Sequence, residues 1–389
     1  MSDQNVTARA GLSNDALNKK ERPAHAVSDD SNGVLAADEV AVDDVSSISG
    51  GTFVSSTTSV TGSVLEYRQE NGRTYHAYKE GKYMAPNDTK EIDRLDLQHN
   101  LFIRTFDDRL GTAPPSQSGS KVGRVLDVGT GSGSWAIDFG DEHPEAEVLG
   151  IDLSAVQTTF VPPNVTFIVD DIEEPWTFSQ RFDYIHSRTM TGSISDWKRY
   201  VQRCYDNLNP GGYLELNDID AAPVSDDGTL TQDSAILKCA DLCLKAMVIF
   251  GSPFQEFGRL EGVLKEIGFT DVQVHRFKWP TNSWPKDRKH KEIGAWNYEN
   301  IAPNFDGFIM APLTRALGWT KDDVVALAAE VCKELGDKSI HAYYNIWSIH
   351  GRKPLEMIRR KCYLITVITV FLSVLVICCL IRQHSRVPT

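Results

Sequence analysis

The sequence has no excess of basic charge. Among 389 residues, 40 lysines and arginines stand against 53 aspartates and glutamates, a formal net charge of −13. Proteins that grip phosphate backbones draw affinity from counterion release and carry a basic surface, so no direct nucleic-acid partner is expected. The sequence also lacks a CxxC pair. Its seven cysteines fall at Cys204, Cys239, Cys243, Cys332, Cys362, Cys378 and Cys379. Cys239 and Cys243 share a helix face by spacing, but no histidine or second pair joins them. No metal site is expected, and the thiols read as buried groups of a reducing compartment. No basic stretch followed by an apolar run opens the chain, so no secretory signal is expected. Aromatics are scarce at the start: Phe53 stands alone among residues 1–62, where Ser, Thr, Asp, Asn and Ala dominate. Such a segment cannot bury enough apolar surface to offset its ordering entropy, and it reads as a disordered acidic tail.

Beyond residue 62 the pattern becomes that of a folded domain, expected over 63–356. Asp88 followed by Glu91 matches a helix start with a capping box, and Ile92, Leu95, His99, Phe102 and Phe106 follow at helical spacing. A Pro/Ser/Gly-rich link covers residues 111–123. Short apolar strands are then expected at 125–128, 147–152, 165–169, 182–186 and 212–216, with helices beginning at Trp135 and spanning 201–208. Farther on, residues 260–267 read as a helix and 272–277 as a strand. Strands alternating with helices imply an α/β fold, a central mostly parallel sheet flanked by helices with right-handed crossovers.

The chemistry-bearing residues sit at the ends of those strands. Asp127-Val128-Gly129-Thr130-Gly131-Ser132-Gly133 closes the first one, and glycines there let backbone N–H groups and a helix N-terminus approach a ligand. A shifted GxGxxA reading through Gly131, Gly133 and Ala136 would suit a nicotinamide cofactor, but it starts the turn two residues past the strand end. Asp127 stands two residues before the first glycine, where dinucleotide enzymes keep an apolar residue. A carboxylate there can hold the charged amino group of a methionine moiety, which favours S-adenosylmethionine. Asp152 ends the second strand, where it can accept from both ribose hydroxyls, with Leu153 next to it. Asp170, Asp171 and Ile172 follow the third strand; one acid can accept from the adenine amino group while the aliphatic side chain packs on the ring. Asn207 to Gly212 form a turn into the fifth strand.

In this order and spacing, DVGTGSG, GID, DDI and LNPGG resemble the class I S-adenosylmethionine-dependent methyltransferases, a Rossmann-like fold, over about residues 124–216. A closer resemblance is to the fungal LaeA-like group. It rests on residues 83–88 and 91–99, on Phe182-Asp183-Tyr184-Ile185-His186-Ser187-Arg188, on Trp279-Pro280 with Trp284-Pro285-Lys286-Asp287, on residues 291–294 and on Gly351-Arg352-Lys353-Pro354. The resemblance implies a methyltransferase acting in or regulating fungal secondary metabolism, with a small-molecule or protein methyl acceptor. It also implies an alternative, a regulator that acts chiefly through velvet-type partner proteins. His186 and Glu215, near strand ends, are the candidate general bases. Tyr83, His99, Trp279, Trp284 and Trp296 are candidate parts of a substrate lid.

Residues 362–381 carry no charge over twenty residues and follow Arg359, Arg360 and Lys361. This length matches a bilayer's hydrocarbon core, and the basic flank is expected to keep the domain cytosolic. The expectation is a C-terminal transmembrane helix and a single-pass, tail-anchored membrane protein. The nucleus is the alternative location that the resemblance implies.

Overall fold

The computed structural model describes residues 66–355. The acidic tail expected at 1–62, both ends of the domain expected at 63–356, and the span expected at 362–381 fall outside those residues.

A small antiparallel hairpin, β1 (Arg68–Glu70) with β2 (Arg73–Tyr75), opens the fold. Helix α1 (Thr89–Thr105) begins where expected, with the Asp88 side chain accepting from the Glu91 backbone N–H. The return half of the capping box is spent elsewhere, because the Glu91 carboxylate accepts from Arg94 and Asn304. The buried face of α1 changes character along its length. Arg94, Gln98 and His99 lie toward its start, while Leu101, Phe102 and Thr105 join the core at its end.

The main sheet follows in sequence: β3 (Arg124–Val128), α2 (Ser134–Glu142), β4 (Glu147–Asp152), β5 (Val165–Val169), β6 (Phe182–Arg188), α3 (Trp197–Asn207) and β7 (Leu208–Ile219). Next come β8 (Val224–Ser225), α4 (Ala235–Phe250), α5 (Leu260–Ile267) and β9 (Thr270–Pro280). Helices α6 (Arg288–Ile301), α7 (Phe305–Ala311) and α8 (Lys321–Gly336) precede the closing strand β10 (Ala342–Arg352).

Five strands run parallel in the order β5-β4-β3-β6-β7. Strand β10 enters antiparallel beside β7, with β8 extending that edge, and β9 pairs with its other edge. The direction in which strands are added to the sheet reverses between β3 and β6. The ends of those strands therefore diverge into a crevice, the usual ligand position in an open α/β sheet. One core holds Trp135 and Phe139 of α2, and a second packs α3 and α5 around Val201 and Leu264. A third joins α1, α4, α6, α7 and α8 over the antiparallel strands through Phe102, Trp279 and Ile346.

The α/β Rossmann-like expectation holds, but its transmembrane part is corrected. Among the described residues no helix is long and apolar enough to cross a membrane. The longest, α1, has 17 residues and a charged face, and the apolar α4 has 16 and carries Lys238, Asp241 and Lys245; about 20 apolar residues are needed. Among the described residues there is thus no membrane-spanning helix, and the tail-anchored localisation expected from the sequence has no support in them.

Candidate active site

The glycine loop is built by the strand it ends. Gly129 and Thr130 donate backbone N–H groups to Ile151 O at 2.8 and 3.0 Å, tying the loop to β4. Gly129, Gly131 and Gly133 have φ of 69°, 57° and 88°, a region that L side chains rarely enter. Space demands glycine as well: a Cβ on Gly133 would stand 2.6 Å from Phe167 Cζ. Helix α2 starts right after the loop, so its free N–H groups face the same crevice.

The crevice is a cleft of about 100 Å³ bordered by Gly129, Gly131, Asp152, Leu153, Asp170 and Ile172, with Asp171 beside them. Asp152 accepts from Gly131 N at 2.9 Å and from Ser154 N at 2.9 Å. Burial pushes its carboxyl up to about 6, against the pull of those two N–H groups. Asp170 and Asp171 have opposite surroundings. Asp170 is exposed and accepts from Asp171 N at 2.8 Å. Asp171 is buried, ion-paired with Lys82, and accepts from Glu173 N at 2.9 Å. Open glycine backbone, a half-buried carboxylate and an apolar residue on one cleft fit a nucleoside with a charged tail.

Beneath the loop lies a buried polar layer. Asp127 accepts from Thr130 Oγ1 at 2.6 Å and from His186 Nδ1 at 2.8 Å. The His186 ring lies flat on Trp135, with centroids 3.7 Å apart, and Asn217 Nδ2 donates to His186 Nε2 at 3.2 Å. Glu215, the register partner of His186 on β7, accepts from Thr112 N, Ala113 N and Tyr184 OH at 2.7, 3.0 and 2.6 Å. Burial opposes its charge, but His350, His186, the Tyr184 hydroxyl and the Thr112 N–H hold its carboxyl below the usual range. His186 borders a small pocket under the loop with Asp127 and Arg188. Glu215 borders neither that pocket nor the cleft.

A second cavity, about 270 Å³, opens between α1, α4, α6 and α7 and meets the cleft at Tyr83, Glu91, Leu95 and Thr189. Its walls are Ile236, Met247, Phe254, Phe305 and Ile309, all from the segment after Glu215. Thr189 has φ 52°, a strained setting for a β-branched residue, and it sits where the two spaces join. Of the aromatics expected to form a lid, Tyr83 borders both the cleft and the second cavity, and the other four border neither. Trp279 Nε1 donates to Thr105 Oγ1 at 2.7 Å and Trp284 Nε1 to Ala342 O at 2.9 Å, both inside the core. His99 turns to Asp138 at 2.8 Å, and Trp296 faces outward.

Sequence reasoning passed over Arg188, Thr189, Gln98 and Lys82. Arg188 borders both the cleft and the pocket beneath the loop; burial lowers its guanidinium to about 10, which leaves it charged at neutral pH. Its position two residues beyond His186, at a strand end beside the glycine loop, was the available signal.

Comparison with known proteins agrees with this geometry. Residues 97–274 match a family described as a methyltransferase domain. The chain is 40% identical over 301 residues to methyltransferase pytC of Aspergillus terreus, covering 77% of this chain and 92% of that protein. It is 38% identical over 291 residues to a secondary metabolism regulator of Cochliobolus heterostrophus, covering 74% and 95%. A protein-methionine methyltransferase of Emericella nidulans is 33% identical over 296 residues, with 75% and 78% covered.

Proposed function

The chain belongs to the LaeA-like S-adenosylmethionine-dependent methyltransferases of secondary metabolism, and from that premise we propose that it methylates a small apolar acceptor held in the cavity between α1, α4 and α7. The observation that carries this reading is the junction of that cavity with the cleft at Tyr83, Glu91, Leu95 and Thr189. S-adenosylmethionine supplies a methyl group already activated for in-line displacement. The protein's part is to orient and to exclude water, and orientation alone can supply several kcal/mol or more.

Each residue then has a place. Asp152 accepts from the ribose hydroxyls, with Leu153 beside it. Asp170 accepts from the adenine amino group, because Asp171 is committed to Lys82, and Ile172 packs on the ring. The backbone of Gly129, Thr130 and Gly131 borders the amino-acid end, and Gly133 turns the chain into α2 behind it. Asp127 supplies negative charge under it, and Arg188 supplies positive charge for the carboxylate. His186 and Glu215 serve as positioning residues: they hold Asp127 and the 111–117 link, and neither borders the acceptor cavity.

A regulatory role is a second reading, favoured by the secondary metabolism regulator of C. heterostrophus at 38% identity, with velvet-type partners as the proteins that the sequence resemblance implies for it. Supplying the full chain with deuteromethyl-labelled cofactor in cell extract separates the two. Label in the low-mass fraction, read by mass spectrometry, supports a small acceptor. Label confined to protein, or none at all, refutes it.

A further inference from the structure

The acceptor cavity presents amide donors whose oxygens are already engaged. Arg94 explains why. Its Nη1 donates to Gln98 Oε1 at 2.7 Å and to Asn300 Oδ1 at 2.8 Å, while Nε and Nη2 fork onto Glu91 at 3.0 and 2.8 Å. A carboxamide whose oxygen is held by a cation has only its NH₂ left to point elsewhere. Gln98 Nε2 reaches Thr189 Oγ1 at a slack 3.4 Å. Asn300, 2% exposed, lines the cavity, and its Nδ2 has no partner among the described residues. Thr191 Oγ1, also at the cavity, is buried without a partner among those residues. A donor left over on a cavity wall takes a ligand oxygen readily.

The charge balance narrows that oxygen's identity. Glu91 already neutralises Arg94, and Asn304 Nδ2 donates to the same carboxylate at 2.8 Å. Asp220, the other acid at the cavity, accepts from Asn345 and Trp347 at 2.9 Å each. No net positive charge awaits an anion, and most of the remaining wall is apolar, with Tyr83, Thr189 and Tyr344 as the other hydroxyl-bearing residues. We infer that Gln98 Nε2 and Asn300 Nδ2, turned inward by Arg94, read a neutral carbonyl on an otherwise apolar acceptor. Gln98 also borders the pocket beneath the glycine loop, so the carbonyl is held at the cofactor end of the cavity. This inference rests on the methyltransferase reading of the adjoining cleft.

The test uses two probes of one shape, 2-acetylnaphthalene and 2-ethylnaphthalene, titrated calorimetrically into the full chain saturated with S-adenosylhomocysteine. The acetyl probe should bind about tenfold more tightly, the worth of one or two neutral hydrogen bonds. In the Gln98→Glu/Asn300→Asp double variant, which keeps an oxygen of each side chain on Arg94 and replaces each NH₂ donor with an acidic acceptor, that preference should vanish while the ethyl probe is less affected. Equal affinities in the unaltered chain, no binding of either probe, or a preference that survives the double variant would each overturn the inference. Lack of S-adenosylhomocysteine binding in the preliminary titration would instead bring down the reading on which it rests.

Discussion

His186 and Asp127 are register partners on adjacent strands, and the imidazole Nδ1 donates to the carboxylate across 2.8 Å. With Asn217 Nδ2 3.2 Å from Nε2, both ring nitrogens are committed. The pair therefore fixes the acid below the glycine loop and leaves no free base facing the acceptor.

His186→Ala would strand a buried carboxylate and remove the ring stacked on Trp135. Urea unfolding should register a loss of about 3 kcal/mol. Steady-state kinetics should show a raised KM for S-adenosylmethionine. A fall of 10²–10⁴ in kcat at unchanged KM, the usual mark of a lost proton acceptor, would contradict the positioning role.

On the proposed ribose contact, Asp152 should make cofactor affinity depend on pH. Burial holds its carboxyl at about 6, and only the ionised form can accept from both hydroxyls of a ribose. Affinity for S-adenosylhomocysteine should therefore rise as pH increases through about 6. At pH 5 roughly a tenth of the sites are competent, so binding should be about tenfold weaker than above pH 7. Calorimetry at both values checks this, and Asp152→Asn should flatten the dependence.

The parallel half of the fold was legible because buried parallel strands read as short apolar runs ending in glycine or acid; β4 and β5 match their expected spans residue for residue. Strand β10 was missed. Its sequence mixes Asn345, Ser348 and His350 among apolar residues, because β7 and β9 flank it and its polar groups face buried partners such as Glu215 and Thr112. The cofactor cleft was legible since its residues cluster at strand ends. The acceptor cavity was not, because α1, α4, α6 and α7 meet only in space: Arg94 and Asn300 are joined by a 2.8 Å bond across 206 residues. The tryptophans misled for a physical reason, as a Trp-Pro step serves a core as well as it serves a lid.

Lys82 holds the segment before α1 over the cleft through Asp171 and Glu173. Lys82→Met would leave the buried Asp171 carboxylate unpaired and free that segment. Release of S-adenosylhomocysteine should speed up by about tenfold, corresponding to 1–2 kcal/mol for a charged contact, with association little changed. Stopped-flow fluorescence separates the two rates, and an unaltered release rate would refute the strap.

Glu215 should act as an anchor whose grip depends on ionisation. Its depressed carboxyl contributes stability that is fully present above the ordinary value of 4.5 and lost as pH falls below it. Gly111 makes room for it, since a Cβ there would stand 2.7 Å from Glu215 Oε2. In Glu215→Gln the amide NH₂ must face either the N–H of Thr112 or that of Ala113. The variant should therefore be about 2–3 kcal/mol less stable at pH 7. As acid removes the wild-type advantage, the gap should narrow between pH 5 and pH 3. Urea midpoints across that range decide the matter: a constant gap would mean that the Glu215 charge contributes nothing to holding the 111–117 link.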